Sequence, residues 1–315
     1  MKIIFMGTPE IAVPTLEKLI NSRHEVCLVV TRPDQKSGRG MNIKYSPVKE
    51  TALKYGIEII QPESISEEWA IEAMRKEDAD VIVVAAYSQK IPEAVLNLTP
   101  HGCINLHPSL LPKYRGAEPL QGPILNGDEK TGVSIIYLVE KWDAGDILLQ
   151  QEISLDKKET LSTLEPKLAA LGADMMLSAV SGLEDGTITA TPQDESMATY
   201  LKQMKKEDGL IDFNDSAVNI ERKIRALNPW PSAFTFLEGK TFKIWDADVV
   251  PEDISAGDDK DMPAGSVLKG NKQLIVKTGD GCLELKSVQL EGKKRMDAED
   301  FLRGKKIERG LGLGK

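Results

Sequence analysis

A chain of 315 residues with 40 basic and 49 acidic side chains carries a net charge of −9, which excludes a protein held to nucleic acid by blanket charge. Its length exceeds one ordinary domain and fits two, and no run of about 18 apolar residues offers a membrane span. Cys27, Cys103 and Cys282 are odd in number and far apart, so free thiols are expected rather than a disulfide framework or a zinc site.

The first residues run straight into Lys2-Ile3-Ile4-Phe5-Met6-Gly7. This reads as a strand and lacks the basic start and cleavage site of a signal peptide, so a cytoplasmic protein is expected. Short apolar runs at 3–6, 26–31, 57–60, 81–86 and 103–106 alternate with helical patterns. Thr8-Pro9-Glu10 supplies an N-cap, a proline at the first helical position and an early acid, and Ser46-Pro47 repeats the device before a stop at Gly56. Strand–helix alternation of this kind predicts a Rossmann-like α/β fold with a mostly parallel sheet. Gly7-Thr8-Pro9 is not Gly-x-Gly-x-x-Gly, so a dinucleotide site is weakly supported.

Residues 31–44 interrupt the rhythm with a long, polar, basic loop bearing Lys36, Arg39 and Lys44. An exposed connection and an arm that meets phosphates both fit it. Residues 85–92 then end a strand at Gln89, Lys90 and Ile91.

The most informative stretch is Cys103-Ile104-Asn105-Leu106-His107-Pro108-Ser109-Leu110-Leu111-Pro112-Lys113-Tyr114-Arg115-Gly116. Alternation along its opening strand puts Asn105 and His107 on one face, and the carboxyl end of such a strand is where an open α/β sheet places ligands. About 36 residues later, Val139-Glu140-Lys141-Trp142-Asp143-Ala144-Gly145-Asp146 forms a carboxylate-bearing turn between two apolar strands. An amide to steady an oxyanion, an imidazole to move a proton and a carboxylate to orient the imidazole suit work on an acyl group. Each residue alone also fits a bland role: His107 on a backbone carbonyl, Asp143 capping a turn.

A helical pattern over 160–182 reads as core packing. Residues 191–207 read as a linker carrying Lys202, Lys205 and Lys206. A helix at 216–226 leads to Leu227-Asn228-Pro229-Trp230-Pro231 and then to strands at 233–237, 241–245, 273–277 and 282–288. Strands without intervening helices predict a small antiparallel, OB-like barrel. Residues 251–262 read as an acidic excursion. Trp230 and Trp245 fit buried barrel aromatics or base-stacking surfaces. Residues 1–207 hold 22 basic and 30 acidic side chains and residues 208–315 hold 18 and 19, so any RNA contact is expected to be local. Lys293, Lys294 and Arg295 offer one such patch.

Asn-x-His-Pro-Ser-Leu-Leu-Pro-x-x-Arg-Gly followed by Asp-x-Gly-Asp-Ile closely resembles the folate-dependent formyltransferases, over nearly the whole chain. The resemblance implies the formyltransferase fold over 1–190, a linker over 191–207 and a tRNA-binding OB-like domain over 208–315. It implies 10-formyltetrahydrofolate as co-substrate without a metal, methionyl-initiator-tRNA as the formyl acceptor, and a monomer. On these positions it implies Asn105, His107 and Asp143 as the catalytic set. Ser109, Leu110, Leu111 and Pro112 form the folate-binding turn, with a cis peptide before Pro112, and Ile91 is an apolar wall of the pterin pocket. Lys36, Arg39 and Lys44 of the basic loop, Lys205 and Lys206 of the linker, and Lys293, Lys294 and Arg295 are the tRNA contacts. Ala144 and Gln121-Gly122-Pro123 depart from the family pattern and affect local packing near the acceptor amine. The same motif also serves enzymes that formylate nucleotide-sugar amines. The two basic segments argue for RNA over that alternative and over a formyl-folate hydrolase, which needs no RNA-sized surface, and the intact Asn105, His107 and Asp143 set argues against a silent RNA-binding module.

Overall fold

The computed structural model describes residues 1–37, 42–250 and 261–314. Arg39 and nearly all of the acidic 251–262 segment lie outside them, as does the side chain of Lys36. The chain divides into two compact units. The first comprises Met1–Pro119, Lys130–Ser154 and Glu165–Leu201; the second comprises Leu120–Glu129, Leu155–Leu164 and Lys202–Lys315.

In chain order the first half contains β1 (Lys2–Gly7), α1 (Val13–Ile20), β2 (Glu25–Val30), β3 (Gln35–Ser37), β4 (Asn42–Lys44), α2 (Pro47–Tyr55), β5 (Glu58–Ile60), α3 (Glu68–Lys76), β6 (Val81–Ala85), α4 (Glu93–Leu96), β7 (Cys103–His107), β8 (Arg115–Gly116) and α5 (Gln121–Asn126). There follow β9 (Lys130–Tyr137), β10 (Ile147–Ser154), α6 (Leu161–Glu184) and β11 (Tyr200–Leu201). Seven strands form one sheet in the order β10-β9-β7-β6-β1-β2-β5. The pairs from β7 to β5 are parallel, and β9 and β10 extend the sheet antiparallel. This is the mostly parallel sheet expected from the alternation.

Register aligns the carboxyl ends of three strands: Gly7 lies opposite Ala85, and Ala85 opposite Leu106. The segments that leave these ends therefore share one edge of the sheet. One face is packed by Ile4, Met6, Ile71, Met74, Ile82, Val84 and Val95. Gly172 sits so close to β7 that an added Cβ would fall 2.4 Å from Leu106 Cδ1. A larger residue at 172 would force the Leu106 side chain, on the strand that carries Asn105 and His107, to shift.

Two local expectations change. Pro9 rather than Thr8 occupies the N-cap position, and a short 3-10 turn (Glu10–Ala12) precedes α1, which starts at Val13. The Thr8 hydroxyl accepts a long contact from Thr31 Oγ1 at 3.5 Å instead of capping the helix. The basic loop carries a small hairpin, β3 against β4. The Ser46 cap behaves as expected: it accepts from Lys49 N at 3.1 Å, and α2 ends on a left-handed Gly56.

The second unit contains α7 (Ala217–Ala226), β12 (Ala233–Leu237), β13 (Lys240–Val250), β14 (Val267–Gly270), β15 (Leu274–Lys277), β16 (Cys282–Leu290), β17 (Met296–Asp297) and α8 (Ala298–Gly304). They form the small antiparallel domain expected after residue 208: six strands in the order β12-β13-β16-β15-β14, with β17 on β16. Phe242, Ile244, Val276, Leu283, Leu285 and Phe301 lie in its core. No described helix is long and apolar enough to cross a membrane.

Candidate active site

Asn105 and His107 lie two residues apart on β7, at the carboxyl end, and both are nearly buried, 9% and 4% exposed. β9 flanks them, with Ile136 opposite Asn105 and Ser134 opposite His107. The loop between β9 and β10 brings Asp143 to the same place, with His107 Nδ1 3.6 Å from Asp143 Oδ1. That is an ion-pair distance, longer than a hydrogen bond. His107 Nε2 donates to the carbonyl of Tyr114 at 3.0 Å. A carbonyl can only accept, so this contact puts a hydrogen on Nε2 and turns the Nδ1 edge toward the carboxylate.

The Asp143 loop is held in a conformation that an L-residue adopts at a cost. Asp143 has φ +49°, a left-handed backbone disfavoured by about 1–2 kcal/mol. Gly145 follows where an added Cβ would fall 1.9 Å from the carbonyl oxygen of Tyr137. Several contacts fix the loop. Gly116 N donates to Asp143 Oδ2 at 2.8 Å. Gln193 Nε2 donates to the carbonyls of Asp143 at 2.8 Å and Gly145 at 2.7 Å. Trp142, beside Asp143, is 58% exposed.

Behind Gln193 stands Arg115, fully buried. Its Nη2 and Nε donate to Gln193 Oε1 at 2.8 and 3.1 Å. Its Nη2 and Nη1 also reach the two oxygens of Glu195 at 2.8 and 3.2 Å, and Nη1 donates to Tyr200 Oη at 3.0 Å. Lys141 pairs with the same Glu195. Arg115 first, and then Lys141, hold the Glu195 carboxyl down to about 2. Only Arg115 is buried; Glu195 and Lys141 are each more than half exposed, so solvent screens these ion pairs.

The segment Ser109-Leu110-Leu111-Pro112 leaves β7 as a tightly anchored loop, and its Leu111–Pro112 peptide is cis. Ser134 Oγ donates to the Ser109 carbonyl at 2.7 Å and accepts from Leu111 N at 3.1 Å. Gln150 Nε2 donates to the Leu111 carbonyl at 2.9 Å and to Ser134 Oγ at 2.8 Å. Ser109 Oγ donates to the carbonyl of Lys113 at 2.8 Å. The loop's polar groups are therefore largely committed to its own shape. Leu110 stays half-buried, and Leu111 is buried.

The 85–92 segment explains its polar residues. Gln89 Oε1 accepts from Ile65 N at 2.7 Å, and Gln89 Nε2 donates to the Glu63 carbonyl at 3.1 Å, so this amide braces a neighbouring loop. Ile91 is buried beside it in sequence. Tyr87 is also buried, its hydroxyl has no partner among the described residues, and burial pushes that hydroxyl up to about 12.

The structure thus brings His107 and Asp143 together, with Asn105 two residues before His107 on β7 and residues 109–112 following directly after it. The basic residues lie elsewhere in each unit. Lys44 is exposed on β4 in the first. In the second, Lys205 and Lys206 are exposed at a 3-10 turn, and Lys293 and Lys294 are exposed in the turn after β16. Arg295 Nε donates to Ser287 Oγ at 2.9 Å, and its guanidinium lies 5.2 Å from the centre of the half-buried Trp245 ring. Sequence reasoning did not single out Tyr114, Ser134, Gln150, Gln193 or Glu195. Arg115 was quoted only as part of a motif.

A family model described as "Formyl transferase" matches residues 1–180, and one described as "Formyl transferase, C-terminal domain" matches residues 203–306. The methionyl-tRNA formyltransferase of Lachnospira eligens is 46% identical over 315 residues, covering 100% of both chains. That of Agathobacter rectalis is 48% identical over 310 residues, covering 98% of each. Among solved structures, an N-formyltransferase from Helicobacter canadensis, in complex with folinic acid and dTDP-3-aminofucose, superimposes with a TM-score of 0.63. It is 16% identical, covering 94% of this chain and 100% of that one.

Proposed function

The chain belongs to the formyl transferase family, and from this premise we propose that it transfers the formyl group of 10-formyltetrahydrofolate to the α-amine of methionyl-initiator-tRNA. The observation that carries the chemistry is the placement of His107 between the Tyr114 carbonyl and Asp143, on the same strand face as Asn105. The acceptor is taken from relatives 46–48% identical over essentially the full length, both methionyl-tRNA formyltransferases.

Formyl transfer to an amine needs an uncharged nucleophile, a stabilised oxyanion and a path for one proton. Asn105 Nδ2 and the Nδ1–H of a protonated His107 are the donors assigned to the oxygen of the formyl group. Nε2 is engaged by Tyr114, while Nδ1 faces Asp143 at more than hydrogen-bond length, so Nδ1 is the nitrogen a substrate oxygen can recruit. Asp143 keeps the imidazole oriented and takes the proton released by the attacking amine, through water, toward the departing folate nitrogen.

The residues present suit a folate. Leu110, Leu111, Pro112 and Ile91 supply apolar surface for a flat ring. The buried, unpartnered Tyr87 hydroxyl supplies a polar group in the segment that holds Ile91. When bound, the folate supplies the activated formyl group. Ser109 contributes by shaping the turn rather than by direct contact, since its hydroxyl is spent on Lys113.

The second unit is assigned to the RNA. Lys205, Lys206, Lys293, Lys294 and Arg295 are its proposed phosphate contacts, with Lys36, Arg39 and Lys44 at the acceptor end. The test is to incubate the protein with 10-formyltetrahydrofolate and charged initiator tRNA, free methionine, or a nucleotide-sugar amine. N-formylation of the charged tRNA alone is expected. Faster formylation of the sugar amine would overturn the acceptor assignment.

A further inference from the structure

We propose that Gln193 and Arg115 are positioning residues for Asp143, so that the segment between α6 and the second unit forms part of the active site. The inference rests on the reading of Asp143 as the proton-handling carboxylate.

Three observations carry it. First, Gln193 can take only one orientation. Its Oε1 must accept from the Arg115 guanidinium, and its Nε2 must donate to two carbonyls, Asp143 O at 2.8 Å and Gly145 O at 2.7 Å. A single amide therefore pins the backbone on both sides of Ala144. Second, the other face of Asp143 is set by the backbone next to Arg115: Gly116 N donates to Asp143 Oδ2 at 2.8 Å. Arg115 and Gly116 form β8, which pairs in parallel with β11, Arg115 opposite Tyr200 and Gly116 opposite Leu201. Tyr114 N also donates to Thr199 Oγ1 at 2.8 Å. The same segment thereby steadies the carbonyl that holds His107. Third, the guanidinium of Arg115 is wholly buried and spends its donors on Gln193, Glu195 and Tyr200, all within eight residues of one another. Glu195 in turn holds Lys141, two residues before Asp143.

A carboxylate in a left-handed backbone has no intrinsic reason to stay beside His107, and this brace supplies one. Misplacing a proton-handling group by about 1 Å costs roughly 100-fold in rate.

Arg115 is too deeply buried to be a clean probe, so Gln193 is varied. Gln193→Glu keeps an acceptor for Arg115 but turns a carboxylate oxygen toward two carbonyls. Gln193→Met keeps the volume and loses every hydrogen bond. Each is introduced into the full chain alone and together with Asp143→Ala, and kcat and the KM for 10-formyltetrahydrofolate are measured with charged tRNA. Both Gln193 variants are expected to lose roughly 10–100-fold in kcat with the folate KM within about threefold. Gln193→Glu should also keep the wild-type circular dichroism spectrum, which separates mispositioning from failure to fold. In the Asp143→Ala background they are expected to lose nothing further, because there is no carboxylate left to place. Wild-type kcat in both Gln193 variants, or the same fold-loss with and without Asp143, would overturn the proposal and leave Gln193 a structural residue. Wild-type kcat in Asp143→Ala itself would instead overturn the reading of the site on which the proposal rests.

Discussion

Tyr114 presents its carbonyl to His107 Nε2 at 3.0 Å from a left-handed backbone, φ +62°. The pair fixes which imidazole nitrogen is spent on the protein and which is left for chemistry. His107→Ala and Asp143→Asn should each lower kcat by roughly 10²–10⁴ while leaving the fold intact, since the sheet does not depend on either side chain. The check is formylation kinetics beside circular dichroism. A folded His107→Ala protein with near wild-type turnover would remove His107 from the mechanism.

Asn105→Ala should act on the chemical step more than on folate binding. An oxyanion donor contributes mainly in the transition state, and its loss costs about 10²–10³ in turnover. Single-turnover rates at saturating folate separate the two effects. A change confined to the folate KM would make Asn105 a binding residue.

Ser134 and Gln150 should govern the folate site from behind. Ser134 Oγ joins the Ser109 carbonyl, Leu111 N and Gln150 in one cluster. Ser134→Ala strips that cluster of its centre and costs about 1–3 kcal/mol in unsatisfied groups. The folate KM is expected to rise several-fold with kcat changed less. Equal loss in kcat and none in KM would detach the loop from folate binding.

The Glu195 carboxyl sits at about 2, mainly through Arg115 and then Lys141, against about 4.3 for an ordinary glutamate. Its folded value is depressed, so its contribution to stability is present above about pH 4.3 and is lost as pH falls toward about 2. The group is half-exposed, so solvent screens the effect, and only a modest change is expected. Thermal melts of the wild type and Glu195→Gln over pH 2–6 should converge at the acid end. Parallel curves throughout would show that the ion pairs contribute nothing to stability.

The two basic regions should respond differently to mutation. Lys293→Ala with Lys294→Ala should weaken binding of any tRNA and flatten its salt dependence, because each lost phosphate contact removes about one counterion-release step. Arg295 is tied to Ser287 and stacked near Trp245, so Arg295→Ala should also alter Trp fluorescence. Arg39→Ala should reduce formylation and discrimination at the acceptor end. Equal rates on initiator and elongator methionyl-tRNAs, untouched by Arg39→Ala, would leave the basic loop without a role in selection.

Asn105 and His107 were legible because a strand's two-residue period puts alternate side chains on one face. Asp143 was legible through its motif rather than its surroundings. The supporting residues were not. Ser134 looks like one more small residue in an apolar strand, and Gln193 and Glu195 stand in a polar stretch that reads as a linker. Their partners lie 16 to 80 residues away, and such pairings leave no local pattern. Thr8 shows the opposite failure. Its sequence context is a good cap signal, but the buried Thr31 contact and the 3-10 turn prevail over local preference.

The parallel pairing of β8 with β11 has a consequence for the order in which the protein becomes active during synthesis. All seven strands of the main sheet are complete by Ser154, and Asn105, His107 and Asp143 are already on the nascent chain. The residues that clamp the Asp143 loop come some 40 to 50 positions later, at Gln193, Glu195 and Tyr200–Leu201. At roughly 5–20 residues per second, the chain carries every strand of that sheet for seconds before the separate β8–β11 pair can close. A chain released before Gln193 would therefore carry every reacting group without the amide that braces the Asp143 loop.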